Sequence, residues 1–152
     1  MLNIYVDADS CPVKDEITRI ALRHQLEVFM VSNNWLKPIS NIKFHNITVS
    51  KDFDAADDWI FEHANYNDIV ITSDIILANR VIQKDAKVIF PTGKLGTKDN
   101  IGMMLAMRNL NTHLRETGVI AGYNASFNKQ NRSDFLQNME ELIQQLKRKK
   151  SY

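Results

Sequence analysis

The sequence predicts an α/β protein, a single open and mostly parallel sheet of about five strands flanked by helices. Three observations predict it. Short apolar runs alternate with amphipathic stretches along all 152 residues, with no clear linker, repeat or low-complexity block. Two of the most apolar runs end in carboxylates, Ile4-Tyr5-Val6-Asp7-Ala8-Asp9 and Ile69-Val70-Ile71-Thr72-Ser73-Asp74. Each then meets a helix signal, Pro12 with Asp15 and Glu16 in the first case and Asp74 itself in the second. Strand, helix and strand in repetition imply parallel strands joined by crossovers, with helices covering the sheet.

The first strand centres on Ile4 to Val6 because a short apolar run before a turn reads as a buried strand. Pro12 to about His24 follows as a helix whose inner face carries Val13, Ile17, Ile20 and Ala21. Leu26 to Val31 is a second apolar strand, and Phe44 to Val49 alternates as a short third strand at an edge. Asp54 to about Asn65 is a helix, Asp68 to Thr72 a strongly apolar strand, and Asp74 to about Gln83 a helix again. Val88 to Phe90 is a short strand, and Pro91 to Gly96 reads as a loop. Two helices finish the chain, Asp99 to Thr117 and Ser133 to Lys149. Their stripes Met103, Met107, Leu110, Leu114 and Phe135, Met139, Leu142, Leu146 share the spacing 4, 3, 4, which is core packing by default and a homodimer interface otherwise. One domain over residues 1–152 is expected, with a basic tail at about 147–152.

Composition limits the chemistry. A hydrophobic content of 44% with 24% charged residues is ordinary for a soluble globular protein. No stretch looks like a membrane span, and the start lacks the basic and long apolar segments of a secretory signal, so a cytoplasmic location is expected. Cys11 is the single cysteine, which removes an internal disulfide and a cysteine-based zinc cluster. A thiol at a helix start can be activated, yet there is no partner cysteine, and Ile17 stands where a cysteine phosphatase would need an arginine. A structural Cys11 is the preferred reading.

The net charge of +1 conceals two unlike halves. Residues 1–75 carry 12 acids against 6 Lys and Arg, which gives −6, and residues 76–152 carry 6 acids against 13, which gives +7. A carboxylate-rich half joined to a basic half suits a metal-dependent enzyme acting on a polyanion. The basic tail Lys147 to Lys150 contributes four of those charges and can be a plain solvated end.

Three acidic groups carry the functional argument. Asp7 and Asp9 follow the first strand, Asp74 follows the strand at Ile69, and both places lie at the carboxyl edge where open α/β sheets bind ligands. Asp54, Asp57 and Asp58 share one helical face opposite Ala56, Trp59, Ile60 and His63, either as solvated charges near a helix start or as partners of Asp7 and Asp74. Asp74 also reads as the N-cap of the helix that follows, the commonest role for Asp at such a place, and a cap and a metal ligand are not exclusive. Convergent carboxylates repel unless a cation or retained protons neutralise them, and oxygen-only ligands favour magnesium or manganese over zinc. Lys94 and Lys98 flank a glycine-containing turn without the spacing of a P-loop, and Asn100 either caps the following helix or positions a metal-bound water.

The blocks Asp7-Ala8-Asp9-Ser10-Cys11-Pro12-Val13-Lys14, Asp54-Ala55-Ala56-Asp57 and Asp68 to Ile75 with Leu77-Ala78 resemble the YaiI/YqxD family of small bacterial proteins. Asn100-Ile101 and Arg115 followed by Gly118 extend the likeness over nearly the whole chain. Phe53 and Asn67 stand where that family commonly has Gly, Ile76 where it has Pro, and Tyr123 and Asn124 interrupt a usual Gly-Pro in loop 118–131. The resemblance implies a PIN-like three-layer architecture and, by analogy with PIN-like nucleases, acids at strand ends that bind magnesium or manganese and act on RNA. On that analogy Asp7, Asp74 and either Asp54 or Asp57 are metal ligands; Asp7 and Asp74, with Asp9 added from its place beside Asp7, are the expected catalytic residues. Lys14, Lys94, Lys98, Arg108 and Arg115 are the candidate nucleic-acid contacts, with Lys129 and Arg132 as further ones. The leading expectation is a metal-dependent phosphodiesterase, a ribonuclease. Its alternatives are a non-catalytic RNA-binding module and a phosphatase that uses an aspartate nucleophile from Asp-x-Asp.

Overall fold

The computed structural model describes residues 2–52, 54–116 and 127–149. Strand β1 (Asn3–Asp7) leads through a 3-10 turn (Ala8–Ser10) into α1 (Lys14–His24), then β2 (Glu27–Ser32), β3 (Phe44–Thr48) and α2 (Ala55–His63). Strand β4 (Ile69–Ile71), α3 (Ile75–Ile82), β5 (Lys87–Ile89), β6 (Leu95–Gly96), α4 (Ile101–Glu116) and α5 (Lys129–Lys149) complete the order. The six strands form one sheet in the order β3-β2-β1-β4-β5-β6. All neighbours are parallel except β5 and β6.

Strand alternation divides the core between the two faces of this sheet. Ile4, Val6, Val28, Met30, Ile69, Ile71 and Ile89 point to one side, where Ile17, Ile20 and Ala21 of α1 and Phe135, Met139 and Ile143 of α5 cover them. Tyr5, Val31, Val70 and Val88 point to the other, against Ile60 of α2, Leu77 and Val81 of α3 and Ile101 of α4. The result is three layers with helices on both faces, as expected of a parallel sheet.

Four details differ from the sequence expectation. Pro91 to Gly96 is not all loop, because Leu95–Gly96 turns back on β5 as an antiparallel strand. Helix α5 begins four residues before Ser133, capped by Asn128 and Asn131, each of whose side-chain oxygens accepts the other's backbone N–H, at 2.8 and 3.1 Å. That is a capping box written with two asparagines, which the usual Ser/Thr and Glu signature misses. The matched stripes part company: the α5 stripe is buried, whereas Met103, Met107 and Leu110 of α4 are 74, 50 and 48% exposed. Helix α4 uses Ile101 and Met104 on its other side to pack, and the side chain of Leu114 lies outside the described residues. His63, assigned to the apolar face of α2, is exposed and stacks on Trp59 with ring centroids 3.8 Å apart.

Asn67 sits at φ 64°. This left-handed conformation explains why glycine suits that position and why asparagine, the side chain that tolerates it best, can replace it. Gly93, at φ +94°, makes the turn between β5 and β6.

Candidate functional site

The topology fixes where a site forms. From β1 the chain runs outward to β2 and β3, then returns on the opposite side to lay β4 against β1. The carboxyl edge between β1 and β4 is therefore a switch point, where the following loops diverge and leave a crevice. Asp7 ends β1 and Asp74 follows β4 at that crevice.

Thr72 links the two. Its hydroxyl donates to Asp7 Oδ2 at 3.0 Å, and its oxygen accepts from the Asp74 backbone N–H at 2.9 Å. Asp74 Oδ1 in turn accepts from the N–H groups of Ile76 and Leu77 at 2.8 and 3.3 Å, so Asp74 caps α3. A cap holds only one of its carboxylate oxygens, and the Asp57 carboxyl shares a hydrogen bond with the same Asp74 side chain. Asp7, Asp57 and Asp74 thus meet from three different elements. Asp57 bears the consequence: burial, then the charges of Asp74 and Asp7, push its carboxyl up to about 7. Burial raises Asp7 as well, with Asp74 and Asp9 adding to the shift while the Thr72 hydrogen bond opposes it.

The three acids of α2 do not act together. Ala56 and Ile60 anchor the helix in the core, which turns Asp57 toward Asp7 and Asp74. Asp58 instead pairs with Arg80 of α3 at 3.0 Å. Asp54 is exposed, sits at φ 68° and accepts the Asp58 N–H through its backbone oxygen at 2.8 Å. Its charge still reaches Asp57.

Asp9 faces the neighbouring strand end. It accepts from the Ser32 hydroxyl, from the Asn33 N–H at 2.8 Å and from the Asn34 amide at 3.4 Å. Burial alone would raise its carboxyl, but these donors and Lys14 outweigh it and leave it lowered. An acid whose ionised form is held by three donors and a cation is a poor proton donor, which is what the acid of an Asp-x-Asp phosphatase must be. Asp9 ties the turn after β1 to the end of β2. Cys11 is half-buried, and burial pushes its thiol up to about 11, so it is protonated at neutral pH and inert as a nucleophile.

The basic candidates separate by edge. Lys14 opens α1 beside the acids, and Lys94 lies in the β5–β6 turn at the same carboxyl edge, its carbonyl accepting from the Phe90 N–H at 2.8 Å. Lys98 lies at the opposite edge, paired with Asp85 at 2.7 Å just ahead of β5. Arg108 stands on α4 one turn beyond Met104. Arg115 is in the last turn of that helix, its side chain outside the described residues, as is most of loop 118–131. Arg132 is held by Glu16 at 2.9 Å. Asn100 caps α4 reciprocally with Thr97, at 2.8 and 3.2 Å, so its amide is committed to the backbone. Asp68, buried just ahead of β4, accepts from the N–H groups of Asn3 and Asn65, a role that its place at the head of an apolar run does not announce.

Among the described residues, no group of three or more His, Cys, Asp or Glu stands close enough together to hold a metal ion. The side chains that face one another at the switch point are nonetheless all oxygen donors, and burial together with the charges of Asp74 and Asp7 raises the Asp57 carboxyl. Among the described residues no helix is long and apolar enough to cross a membrane.

Fold and site together define a mostly parallel α/β protein with an acidic crevice at the switch point of its sheet. The chain belongs to the YaiI/YqxD family: the family model described as "Uncharacterized BCR, YaiI/YqxD family" matches residues 5–145. A UPF0178 protein of Agrobacterium fabrum is 52% identical over 145 residues, covering 95% of each chain. Another, of Rhizobium meliloti, is 50% identical over 145 residues, covering 95% of this chain and 99% of its own. A third, of Parvibaculum lavamentivorans, is 46% identical over 149 residues and 98% of both chains. None of the three is named for an activity. No solved structure matches the chain significantly.

Proposed function

We propose that the protein is a divalent-metal-dependent phosphodiesterase acting on RNA, in which Asp7, Asp57 and Asp74 hold magnesium or manganese. The observation that carries this reading is the meeting of three carboxyls, from β1, α2 and the β4–α3 junction, at the switch point of the sheet. Packing alone does not favour like charges in contact, and groups perturbed in this way gather at functional sites. A bound divalent ion would supply an activated water and stabilise the leaving oxygen. Thr72 orients Asp7 through its hydroxyl, Asp9 braces the turn that carries Asp7, and Asp54 adds negative charge next to Asp57. Lys14 and Lys94 are the phosphate contacts at this edge, with Arg108 and Arg115 further along α4. The test is calorimetric titration of manganese into the purified protein, with cleavage of a mixed RNA pool followed on a gel. Saturable binding with metal-dependent cleavage is expected. Salt-sensitive RNA binding that persists without metal and without cleavage would replace the enzyme with a binding module.

Asp57 also makes stability depend on pH. Its carboxyl titrates near 7 in the folded chain and near 3.8 when unfolded, so between those values the folded state binds more protons. Stability therefore falls as pH rises through that window. Asp57→Asn removes the penalty. Because the side chain is partly exposed, solvent screening cuts the gain to on the order of 1 kcal/mol. The variant should melt roughly 2–4 °C higher than wild type at pH 8 in metal-free buffer, with the gap nearly closed at pH 4. Equal melting temperatures at pH 8 would show that Asp57 is not under repulsion.

A further inference from the structure

We infer that the cleft beside the acid group seats an unpaired nucleobase of the strand whose phosphate meets the carboxylates, so that the protein prefers single strands to duplexes. The identity of the ligand as a nucleic acid rests on the phosphodiesterase reading above; the pocket itself rests on its own geometry.

The cleft measures about 310 Å³, and its walls are Ile75, Phe90, Met104 and Phe127. Ser73 and Pro12 form the rim toward the acids. Ser73 directly precedes Asp74, and Pro12 ends the turn that begins at Asp7, so cleft and acid group share a border. Apolar walls suit a flat aromatic ligand: the half-buried Phe127 supplies a ring on which a base can stack, while Phe90, 6% exposed, closes the cleft from the core side. Lys94 is exposed at the remaining side of the cleft. It complements the phosphate that any base in a strand brings with it.

One residue braces a wall and the rim. The Arg132 guanidinium lies 4.9 Å from the centre of the Phe127 ring and donates to the Pro12 carbonyl at 2.8 Å. It also donates to Glu16 Oε1 at 2.9 Å, and Glu16 is buried. Phe127 is therefore held against α1 rather than collapsed into the cleft, and a wall fixed in advance loses little freedom when a ligand arrives. A base paired inside a duplex is stacked on both faces and cannot enter such a slot.

The test measures binding without chemistry. A fluorescent ten-nucleotide mixed-sequence RNA, single-stranded or annealed to its complement, is titrated with full-length protein in EDTA at fixed salt. Wild type should favour the single strand. Phe127→Leu, which keeps an apolar side chain but removes the ring, should weaken single-strand binding roughly 5- to 100-fold, the range for one lost stacking contact, and leave duplex binding unchanged. Phe127→Tyr should restore it, and Lys94→Gln should weaken both forms and flatten the salt dependence. Equal binding of single strand and duplex by wild type would overturn the inference. So would an unchanged affinity in a Phe127→Leu protein whose melting temperature matches wild type. Manganese titration of Phe127→Leu separates the two proposals, because it should bind the metal as wild type does. Failure of metal binding in wild type would remove the phosphodiesterase and leave the strand preference to stand or fall on its own result.

Discussion

Replacing Asp7 and Asp74 together by Asn is expected to abolish manganese binding and RNA cleavage while the chain stays folded. The substitution is isosteric, and every structural contact of both side chains survives it. The Thr72 hydroxyl that donates to Asp7 Oδ2 can donate to an amide oxygen. The two N–H groups capped by Asp74 can be capped by asparagine, which ranks with aspartate in that role. What disappears is charge, two formal negatives out of an all-oxygen donor set. Losing a single residue that merely supports a metal ligand typically costs 10- to 100-fold, so removing two ligands should reduce affinity and turnover by at least about 100-fold. Calorimetry and a cleavage gel read the loss, and circular dichroism confirms the fold. A double variant that still binds manganese at wild-type affinity would show that the acids at the switch point are not the ligands.

Gly93→Ala is expected to destabilise the protein by about 3 kcal/mol, lowering the melting temperature by roughly 6–12 °C. Two independent costs meet there. At φ +94° any side chain is strained. An added Cβ would also lie 2.7 Å from the carbonyl carbon of Asp134 and 2.8 Å from the Phe135 nitrogen, which are backbone atoms of α5 that cannot swing aside. The bare glycine lets the β5–β6 turn press against that helix, where the Asn138 amide donates to the Gly93 carbonyl at 2.8 Å. Since Phe90 accepts from the Gly93 N–H and lines the cleft, the same change should also disturb single-strand binding. An alanine variant melting within a degree of wild type would mean that this turn does not bear on α5 as described.

How much of this was legible in the residues depended on whether the deciding contact was local. Asp7 and Asp74 could be found because each follows an apolar run and precedes a helix signal, all within a few positions. Asp57 and Asp58 could not be told apart, since a helical wheel gives both the same side. Their roles were settled by Ala56 and Ile60 seating the helix and by Arg80 drawing Asp58 away. Asp9 read as a partner of Asp7 because they are neighbours in sequence, but its donors come from Ser32 to Asn34 on the adjacent strand. Lys94 and Lys98 looked equivalent until a two-residue strand carried them to opposite edges. The stripes on α4 and α5 show the same limit, for spacing identifies a face and says nothing of what covers it. The cleft is lined by the segment ahead of α1, by α3 and α4, by the β5–β6 turn and by the residue two places ahead of α5, and no single stretch announces it.

Placing the first strand in the middle of the sheet has a consequence for the order in which the molecule is made. On the ribosome, β1 and β2 emerge early and can pair, yet the other flank of β1 stays open until β4 arrives. Thr72 stands 65 positions after the carboxylate it bonds. The crevice therefore does not exist until β4 has emerged, and its acids come together only when that strand closes on the central one. On the metal-binding reading proposed above, ions could not be captured before β4 has closed on β1, and occupancy would report that closure.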